Sequence, residues 1–236
     1  MSFAIGVMCK PPRVGFSKTR LASALGADAA AALSAAFLRD VASAVEAVPA
    51  ALGRVCFGVY CPSGAEAEIR ELLPRDFGLL LRTGADIGAA LLEATRHFVA
   101  EGYEGAILVN GDSPTLPTEP LVKAIEALRR PGDRVAYGPA ADGGYYLIGL
   151  KHPHDHLFHD VPWSTPDVLR TSVQRAAEME IETVLLDTWY DVDDATTLDV
   201  LIAECAGSPP PFARTGLAGH RAAATCAVLV ERGLLP

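Results

Sequence analysis

The sequence predicts a three-layer α/β fold in which helices flank a mixed, mainly parallel sheet. Three observations lead to this class. Short apolar runs of strand length recur along the chain, they alternate with stretches that carry an apolar residue every three or four positions, and half of the 236 residues are apolar. Continuous apolar strands are typical of sheets that helices cover on both faces. A chain of this length is most simply one domain with a substantial core.

Seven segments are predicted as strands because they are short, apolar and bounded by turn residues. In chain order they are Phe3–Cys9, Val55–Cys61, Gly78–Leu81, Ala106–Asn110, Arg134–Tyr137, Tyr145–Leu150 and Thr183–Leu186. Strand and helix patterns alternate as far as about Asp112, which calls for parallel strands and right-handed crossovers. The fifth and sixth strands are too close together for a helical crossover, so this part of the sheet is predicted to be mixed.

Helices are predicted where apolar residues repeat with helical spacing. The first such stripe runs over Leu33–Val48, and Ile87–Val99 and Leu121–Leu128 repeat the pattern. Thr165 and Pro166 have the residue types of a capping position and a first helical position, so the next helix is predicted to begin there.

The last thirty residues are predicted to form a linker and a final helix. Gly207-Ser208-Pro209-Pro210-Pro211 has the composition of a linker, and a helix follows over about Ala222–Arg232. This helix is expected to pack back on the domain or to mediate a contact, such as that of a homodimer. The predicted boundaries are 1–206 for the α/β domain and 207–236 for the linker and helix.

The charged residues are unevenly distributed. The formal net charge of -9 argues against general nucleic-acid binding, because that normally needs a broad basic surface. However, no acidic residue precedes Asp28, whereas Lys10, Arg13, Lys18 and Arg20 all do. This cluster suits a local anion site, although ordinary solvated side chains would give the same composition.

Cysteine usage and the first residues predict a cytoplasmic protein without a membrane span. The five cysteines show neither a CxxC pair nor metal-ligand spacing, which fits a reducing compartment better than a disulfide framework. The apolar segment Met1–Met8 is too short to cross a membrane and lacks the charged leader of a signal peptide.

The segment after the first strand is a candidate anion-binding loop. It contains Gly15, and Ser17-Lys18-Thr19-Arg20 is predicted to open a helix. Free backbone N–H groups at a helix start, with Lys18 and Arg20 beside them, would attract phosphate. The glycine spacings of a Walker A loop and of a dinucleotide-binding loop are both missing. A plain loop with basic residues is the alternative interpretation.

Asp112 is the strongest candidate for a catalytic or metal-binding acid. It lies in Gly111-Asp112-Ser113-Pro114, directly after the apolar run Ala106–Val109, and open α/β folds bind ligands at the carboxyl ends of their strands. A carboxylate there can hold a divalent cation against a phosphate. Alternatively, Asp112 caps the next helix, but Thr118 is better placed to cap a helix beginning at Glu119–Pro120.

A magnesium ion would normally need a second carboxylate, and the segment Leu186–Asp194 offers candidates. Asp191 and Asp193 are two residues apart, so they share a face if the segment is extended. Asp194 is instead placed to cap a helix beginning at Ala195. An acidic turn before a helix is common, so this segment indicates a metal site only together with Asp112.

Asp142-Gly143-Gly144 places a carboxylate beside two residues that let the backbone come close to a ligand. The same residues also predict a hairpin turn. Tyr145 and Tyr146 point to opposite faces of the strand that follows, so at most one is expected to line a site. The histidine-rich stretch His152–His159 is predicted to be a solvated loop rather than a metal site.

Taken together, these segments resemble a bacterial family of transferases labelled radical-SAM-associated transferases or arsenosugar-biosynthesis glycosyltransferases. The resemblance covers about Ser2 to Cys205 and implies the GT-A fold of nucleotide-diphospho-sugar transferases. The motifs that carry it are Lys10-Pro11, Lys18-Thr19-Arg20-Leu21, Asn110-Gly111-Asp112-Ser113-Pro114-Thr115-Leu116-Pro117, the run from Gly138 to Leu150, Trp163-Ser164-Thr165 and Asp191-Val192-Asp193.

Two better-understood families share parts of these motifs. The lysine, Lys-Thr-Arg-Leu and Gly-Asp-x-Pro elements are similar to those of phospholactate guanylyltransferases, and Gly-Asp-x-Pro is similar to that of molybdenum-cofactor guanylyltransferases. This resemblance implies that lysine and arginine hold a triphosphate and that the aspartate holds a magnesium ion. Glycosyltransferases of the GT-A fold usually carry Asp-x-Asp, whereas this chain has Asn110-Gly111-Asp112.

The preferred hypothesis is a metal-dependent transferase that moves a sugar from a nucleotide sugar to a small-molecule acceptor. Asp112 with Asp193, or with Asp191, would hold Mg²⁺ or Mn²⁺ across the diphosphate, and Asp142 would orient the acceptor. Residues expected to bind the ligands are Lys10, Gly15, Lys18, Thr19, Arg20, Gly111, Gly143, Gly144 and Tyr145. Nucleotidyl transfer from a nucleoside triphosphate with release of pyrophosphate, and non-catalytic nucleotide binding, stay open as alternatives.

Overall fold

The computed structural model describes residues 2–84 and 86–235. Within them, seven strands form one sheet. They are β1 Phe3–Cys9, β2 Arg54–Tyr60, β3 Gly78–Leu81, β4 Ala106–Asn110, β5 Arg134–Pro139, β6 Tyr145–Leu150 and β7 Glu182–Leu185. All of the predicted strands are present, with ends shifted by at most two residues, because apolar runs of this length are buried by helices on both faces.

The sheet is mixed, as predicted, and its strand order is β3-β2-β1-β4-β6-β5-β7. Strands β1 to β4 pair in parallel, β6 runs antiparallel to both β4 and β5, and β5 pairs in parallel with β7. The carboxyl ends of β1 to β4 therefore lie along one edge, where the loops that follow them meet.

Helices cover both faces of this sheet and give the predicted three layers. They are α1 Thr19–Leu25, α2 Ala27–Glu46, α3 Glu66–Arg70, α4 Ile87–Ala100, α5 Thr118–Arg129, α6 Val168–Glu178, α7 Ala195–Cys205 and α8 Ala223–Glu231. Side chains of α2, α5 and α7 pack with Ile5 on one face, whereas α4 and α6 pack with Ala4 on the other. Successive residues of β1 thus point into different cores.

Two of the predicted helix caps are wrong. Thr118 is the first residue of α5, and its hydroxyl donates to the carbonyl of Ala44 at 3.3 Å rather than capping the helix. Thr165 lies three residues before α6, which begins only at Val168; its hydroxyl donates to the carbonyl of Pro162 and accepts from the Asp167 N–H. In both places the threonine hydroxyl forms hydrogen bonds outside the helix, with a distant residue or within the preceding turn, instead of capping the helix.

The final helix α8 packs back on α2. The carboxylate of Asp40 in α2 accepts the backbone N–H groups of Ala224 at 3.0 Å and Thr225 at 2.7 Å, so it caps α8 from outside. At the next residue of α8, the thiol of Cys226 lies 2.7 Å from that of Cys205, the last residue of α7. Across the described residues, no helix is long and apolar enough to span a bilayer.

Candidate active site

The candidate active site lies at the carboxyl ends of β1 and β4, neighbouring strands in the middle of the sheet. Lys18 follows β1, Asp112 follows β4, and Asp193 lies between β7 and α7. These three side chains border a cleft of about 650 Å³. The structure therefore brings together the basic loop, the Gly-Asp-x-Pro segment and the late acidic segment that the sequence singled out.

Lys18 joins the two carboxylates. Its Nζ lies 2.9 Å from Oδ2 of Asp112 and 2.6 Å from Oδ1 of Asp193, and only 7% of its side chain is exposed. Burial lowers the pKa of Lys18, but the attraction of Asp112 and Asp193 outweighs it and the net shift of the pKa is upward. The lysine is thus a charged ammonium held between two acids.

Asp191 has different partners from its neighbour Asp193. Its carboxylate accepts from Asn110 Nδ2 at 2.8 Å and from the hydroxyl of Ser113. Burial raises the pKa of Asp191 to about 6, against the opposing effect of the Ser113 hydrogen bond. The sequence had two candidates for a second acid next to Asp112. Asp193 pairs with the same cation as Asp112, whereas Asp191 holds the end of β4 and the segment after it through hydrogen bonds.

The backbone around Asp112 is tightly packed. The N–H of Val192 donates to the carbonyl of Asp112 at 2.9 Å. A Cβ on Gly111 would lie 2.6 Å from both the carbonyl oxygen of Met8 and a methyl of Leu38. Gly111 borders the cleft, but its small size is required by these protein contacts.

Cations outnumber acids along this cleft. The basic residues that border it are Lys10, Arg13, Lys18, Arg20 and Arg82, and the acidic ones are Asp112, Asp191 and Asp193. Thr19 also borders it, whereas Gly15, with a φ of 79°, turns the loop and does not. Sequence analysis missed Arg82, although its place directly after β3 puts it at the same edge of the sheet as Asp112.

A second cleft of about 370 Å³ adjoins the first. It is bordered by Asp142, Gly144 and Tyr145 and by Trp163 and Thr165 from the segment before α6. The sequence had identified the first three through the hairpin motif. Trp163 entered only as part of the family resemblance, because nothing local in its pattern shows that it faces the hairpin.

Gly143 is required by contacts within the fold. Its φ is 94°, and a Cβ there would lie 2.2 Å from the carbonyl oxygen of Pro166. Its own carbonyl accepts the N–H of Leu169 at 3.0 Å. The backbone that comes close to this glycine is therefore the chain's own turn before α6.

The remaining predictions concern the two tyrosines after the hairpin turn and the histidine-rich stretch. Tyr145 borders the second cleft, whereas Tyr146 is buried on the other face and its hydroxyl donates to the carbonyl of Asp187 at 2.8 Å. His154 and His156 pair with Asp133 and Glu178, each at 2.7 Å. Within the residues that the structure describes, no three or more histidine, cysteine or acidic side chains form a metal-binding group.

Comparison with known proteins agrees with this fold. Residues 56–165 match a bacterial protein family. Its description is "uncharacterized protein conserved in bacteria (DUF2064)". No curated protein sequence matches the chain.

Among solved structures, the chain is similar to a protein of Desulfovibrio desulfuricans G20 provisionally named a nucleotide-diphospho-sugar transferase. The identity is 28%, the TM-score is 0.84, and the match covers 99% of this chain and 96% of that one. A CMP:2-keto-3-deoxy-manno-octonic acid synthetase complexed with CTP has 12% identity and a TM-score of 0.56, over 87% of this chain and 99% of that one. A cytidylyltransferase of Leptospira borgpetersenii has 11% identity and a TM-score of 0.54, over 99% and 96%. The chain therefore has the nucleotide-diphospho-sugar transferase-like fold.

Proposed function

We propose that this chain is a transferase that uses a nucleotide-diphospho-sugar as donor, with Mg²⁺ or Mn²⁺ as cofactor. The observation that carries the proposal is the convergence of Asp112 and Asp193 on one cation, Lys18, inside a cleft where basic side chains outnumber acidic ones. The name given to the similar Desulfovibrio desulfuricans protein supports the same class of donor.

The carboxylates of Asp112 and Asp193 fit a divalent cation. The ammonium of Lys18 already stands between them as a substitute cation, at 2.9 and 2.6 Å. Two carboxylates are also the usual protein share of a magnesium site, because substrate phosphates and water complete the shell. A bound ion would supply Lewis-acid chemistry, neutralising charge on the departing nucleoside diphosphate.

The basic side chains of the cleft would bind the diphosphate. Lys10 and Arg20 border the cleft beside Lys18, which pairs with phosphate oxygens once the two acids have another cation. Phe16 lies at the mouth, 84% exposed, and offers a flat surface to the nucleobase. Positioning and electrostatic stabilisation would supply most of the rate enhancement.

Nucleotidyl transfer is the competing reaction on this fold. The two reactions break different bonds: glycosyl transfer breaks the bond from the anomeric carbon to the diphosphate, whereas nucleotidyl transfer breaks the bond between the α and β phosphates. Released nucleoside diphosphate therefore indicates the first reaction, and released pyrophosphate the second.

A thermal-shift panel of nucleotide sugars and nucleoside triphosphates, each with and without magnesium, tests the proposal. Ligands that bind only the folded state raise the melting temperature. We expect a magnesium-dependent rise with at least one nucleotide sugar, which Asp112→Asn removes. Asp155→Asn is the matched control, since Asp155 is exposed and pairs with Arg96 outside both clefts.

The outcomes separate the three hypotheses. A rise with triphosphates alone, followed by pyrophosphate release, would replace glycosyl transfer by nucleotidyl transfer. Binding of a nucleotide sugar without turnover of any acceptor or of water would favour a non-catalytic protein. A magnesium-dependent rise that Asp112→Asn leaves unchanged would contradict the metal assignment.

A further inference from the structure

The second cleft continues directly from the first. The two share the side chains of Arg20, Ile87, Asn110, Asp191 and Asp193 along their common border. A group held at this border lies within reach of ligands in both clefts. If the first cleft holds the donor, the second is where a molecule that receives the group would bind.

The charges of the second cleft are opposite to those of the first. Among the described residues that border it, Arg20 is the one cation, whereas Asp142, Asp191 and Asp193 are acidic. Asp142 is exposed and held in place by its own turn, in which the Gly144 N–H donates to Oδ1 at 2.9 Å. Asp191 and Asp193 are already paired, the first with Asn110 and Ser113 and the second with Lys18. A phosphate group in this cleft would therefore meet mainly the exposed carboxylate of Asp142, which disfavours its binding.

One wall of the second cleft is apolar and aromatic. Trp163 packs so closely against α4 that a Cβ on Gly88 would lie 2.5 Å from its ring. The ring of Tyr145 stands edge-on to Trp163, with centroids 6.3 Å apart. Leu91 and Val168 border the same cleft. A flat apolar wall opposite a few fixed polar groups is typical of sites for small organic molecules.

We infer that the second cleft binds the acceptor, and that the acceptor is an uncharged or cationic hydroxyl compound with a ring that packs on Trp163. This inference rests on the proposed function, and it names the class of acceptor. In the transfer, the acceptor hydroxyl oxygen bonds to the anomeric carbon of the donor. The bond from that carbon to the diphosphate breaks with its electron pair on the diphosphate, and the hydroxyl proton leaves to solvent.

The test compares ring compounds that differ only in a phosphate. The probes are glucose with glucose 6-phosphate, ribose with ribose 5-phosphate, and inositol with inositol 1-phosphate. Saturation-transfer NMR measures their binding to the full chain while nucleoside diphosphate and magnesium fill the first cleft, so that phosphorylated probes cannot bind there. The melting temperature with nucleoside diphosphate reports separately on the first cleft.

We expect the uncharged member of at least one pair to bind about tenfold more tightly than its phosphorylated partner. Asp142→Lys should narrow this ratio to about threefold or less, because it changes the local charge by two units. Asp155→Lys makes the same charge change outside the clefts and should leave the ratio as it is. Trp163→Ala should weaken the uncharged probe without changing the melting-temperature rise caused by nucleoside diphosphate.

Two results would overturn the inference: tighter binding of the phosphorylated members, or no binding of any probe while nucleoside diphosphate still raises the melting temperature. If nucleoside diphosphate itself has no effect with or without magnesium, the proposed function fails instead. The two failures are therefore distinguishable in one set of measurements.

Discussion

Replacing Lys18 by methionine removes the ammonium that neutralises Asp112 and Asp193 while keeping a side chain of similar length. Opposite unit charges about 4 Å apart attract by about 4 kcal/mol at an effective dielectric of about 20, and by about 1 kcal/mol in water. Since 45% and 46% of the two aspartate side chains are exposed, each pair is expected at the lower end, about 1–2 kcal/mol.

A divalent cation must displace this ammonium to reach both acids. Lys18→Met removes the competition, so we expect the dissociation constant for Mn²⁺, measured without nucleotide, to fall by about tenfold or more, since about 1.4 kcal/mol is a factor of ten. Nucleoside diphosphate binding measured without metal should weaken, because Asp112 and Asp193 then face the phosphates without a neutralising charge. Free Mn²⁺ counted by electron paramagnetic resonance and thermal shift with nucleoside diphosphate measure the two effects.

Opposite changes in metal and nucleotide affinity distinguish this role from a structural one, which would weaken both. Lys123→Met is the matched control: Lys123 also lies between two acids, 2.8 Å from Glu119 and 2.7 Å from Asp187. Arg214 still pairs with both of those acids, so no metal site is uncovered. A folded Lys18→Met protein that binds Mn²⁺ no more tightly than the wild type would refute the reasoning.

Three further predictions concern stability, measured by urea unfolding. Gly143→Ala should cost about 2 kcal/mol or more, because of its φ of 94° and the 2.2 Å approach to Pro166; an effect as small as that of Gly144→Ala would contradict this. Asp40→Ala should cost about 1–2 kcal/mol through loss of the α8 cap, and an unchanged midpoint would show that α8 needs no cap. The pKa of Asp187 is lowered by hydrogen bonds from Lys123 and Arg214, so its contribution is present above about pH 4 and is lost as the pH falls below its ordinary value of 3.8. Asp187→Asn should therefore reduce the fall in the free energy of unfolding as the pH is lowered below about 4. An equally steep fall in the variant and the wild type would be evidence against this role of Asp187.

The fold could be predicted because its signals are local. Each strand is a short apolar run. The segment around Asp142 that joins β5 to β6 is too short for a helical crossover, so its length alone predicted that these two strands are antiparallel. Asp194 caps α7 as predicted, with its carboxylate accepting the Thr197 N–H at 2.9 Å, because both partners lie within one turn.

The details of the site could not be predicted because they depend on residues far apart in the chain. The sequence around Lys18 does not show that its ammonium pairs with Asp193. Asp191 and Asp193 are the same residue type, so the sequence does not show which of them binds the same cation as Asp112. The sequence predicted a turn at Gly143, where φ is 94°, but it could not show that the carbonyl of Pro166 packs against this glycine. Arg82 could have been found by asking which charged residues follow parallel strands.

The return of the last segment over the domain affects where the chain can be cut or joined to another protein. The N–H of His220 donates to the carbonyl of Thr115 at 3.0 Å, three residues after Asp112, and Asp40 depends on α8 for two donors. A chain shortened at Ala206 would leave both acceptors without these partners. We therefore expect the proline-rich stretch Gly207–Pro211 to act as a spacer inside one folding unit, so that a fusion partner inserted there would disturb the segment that carries Asp112.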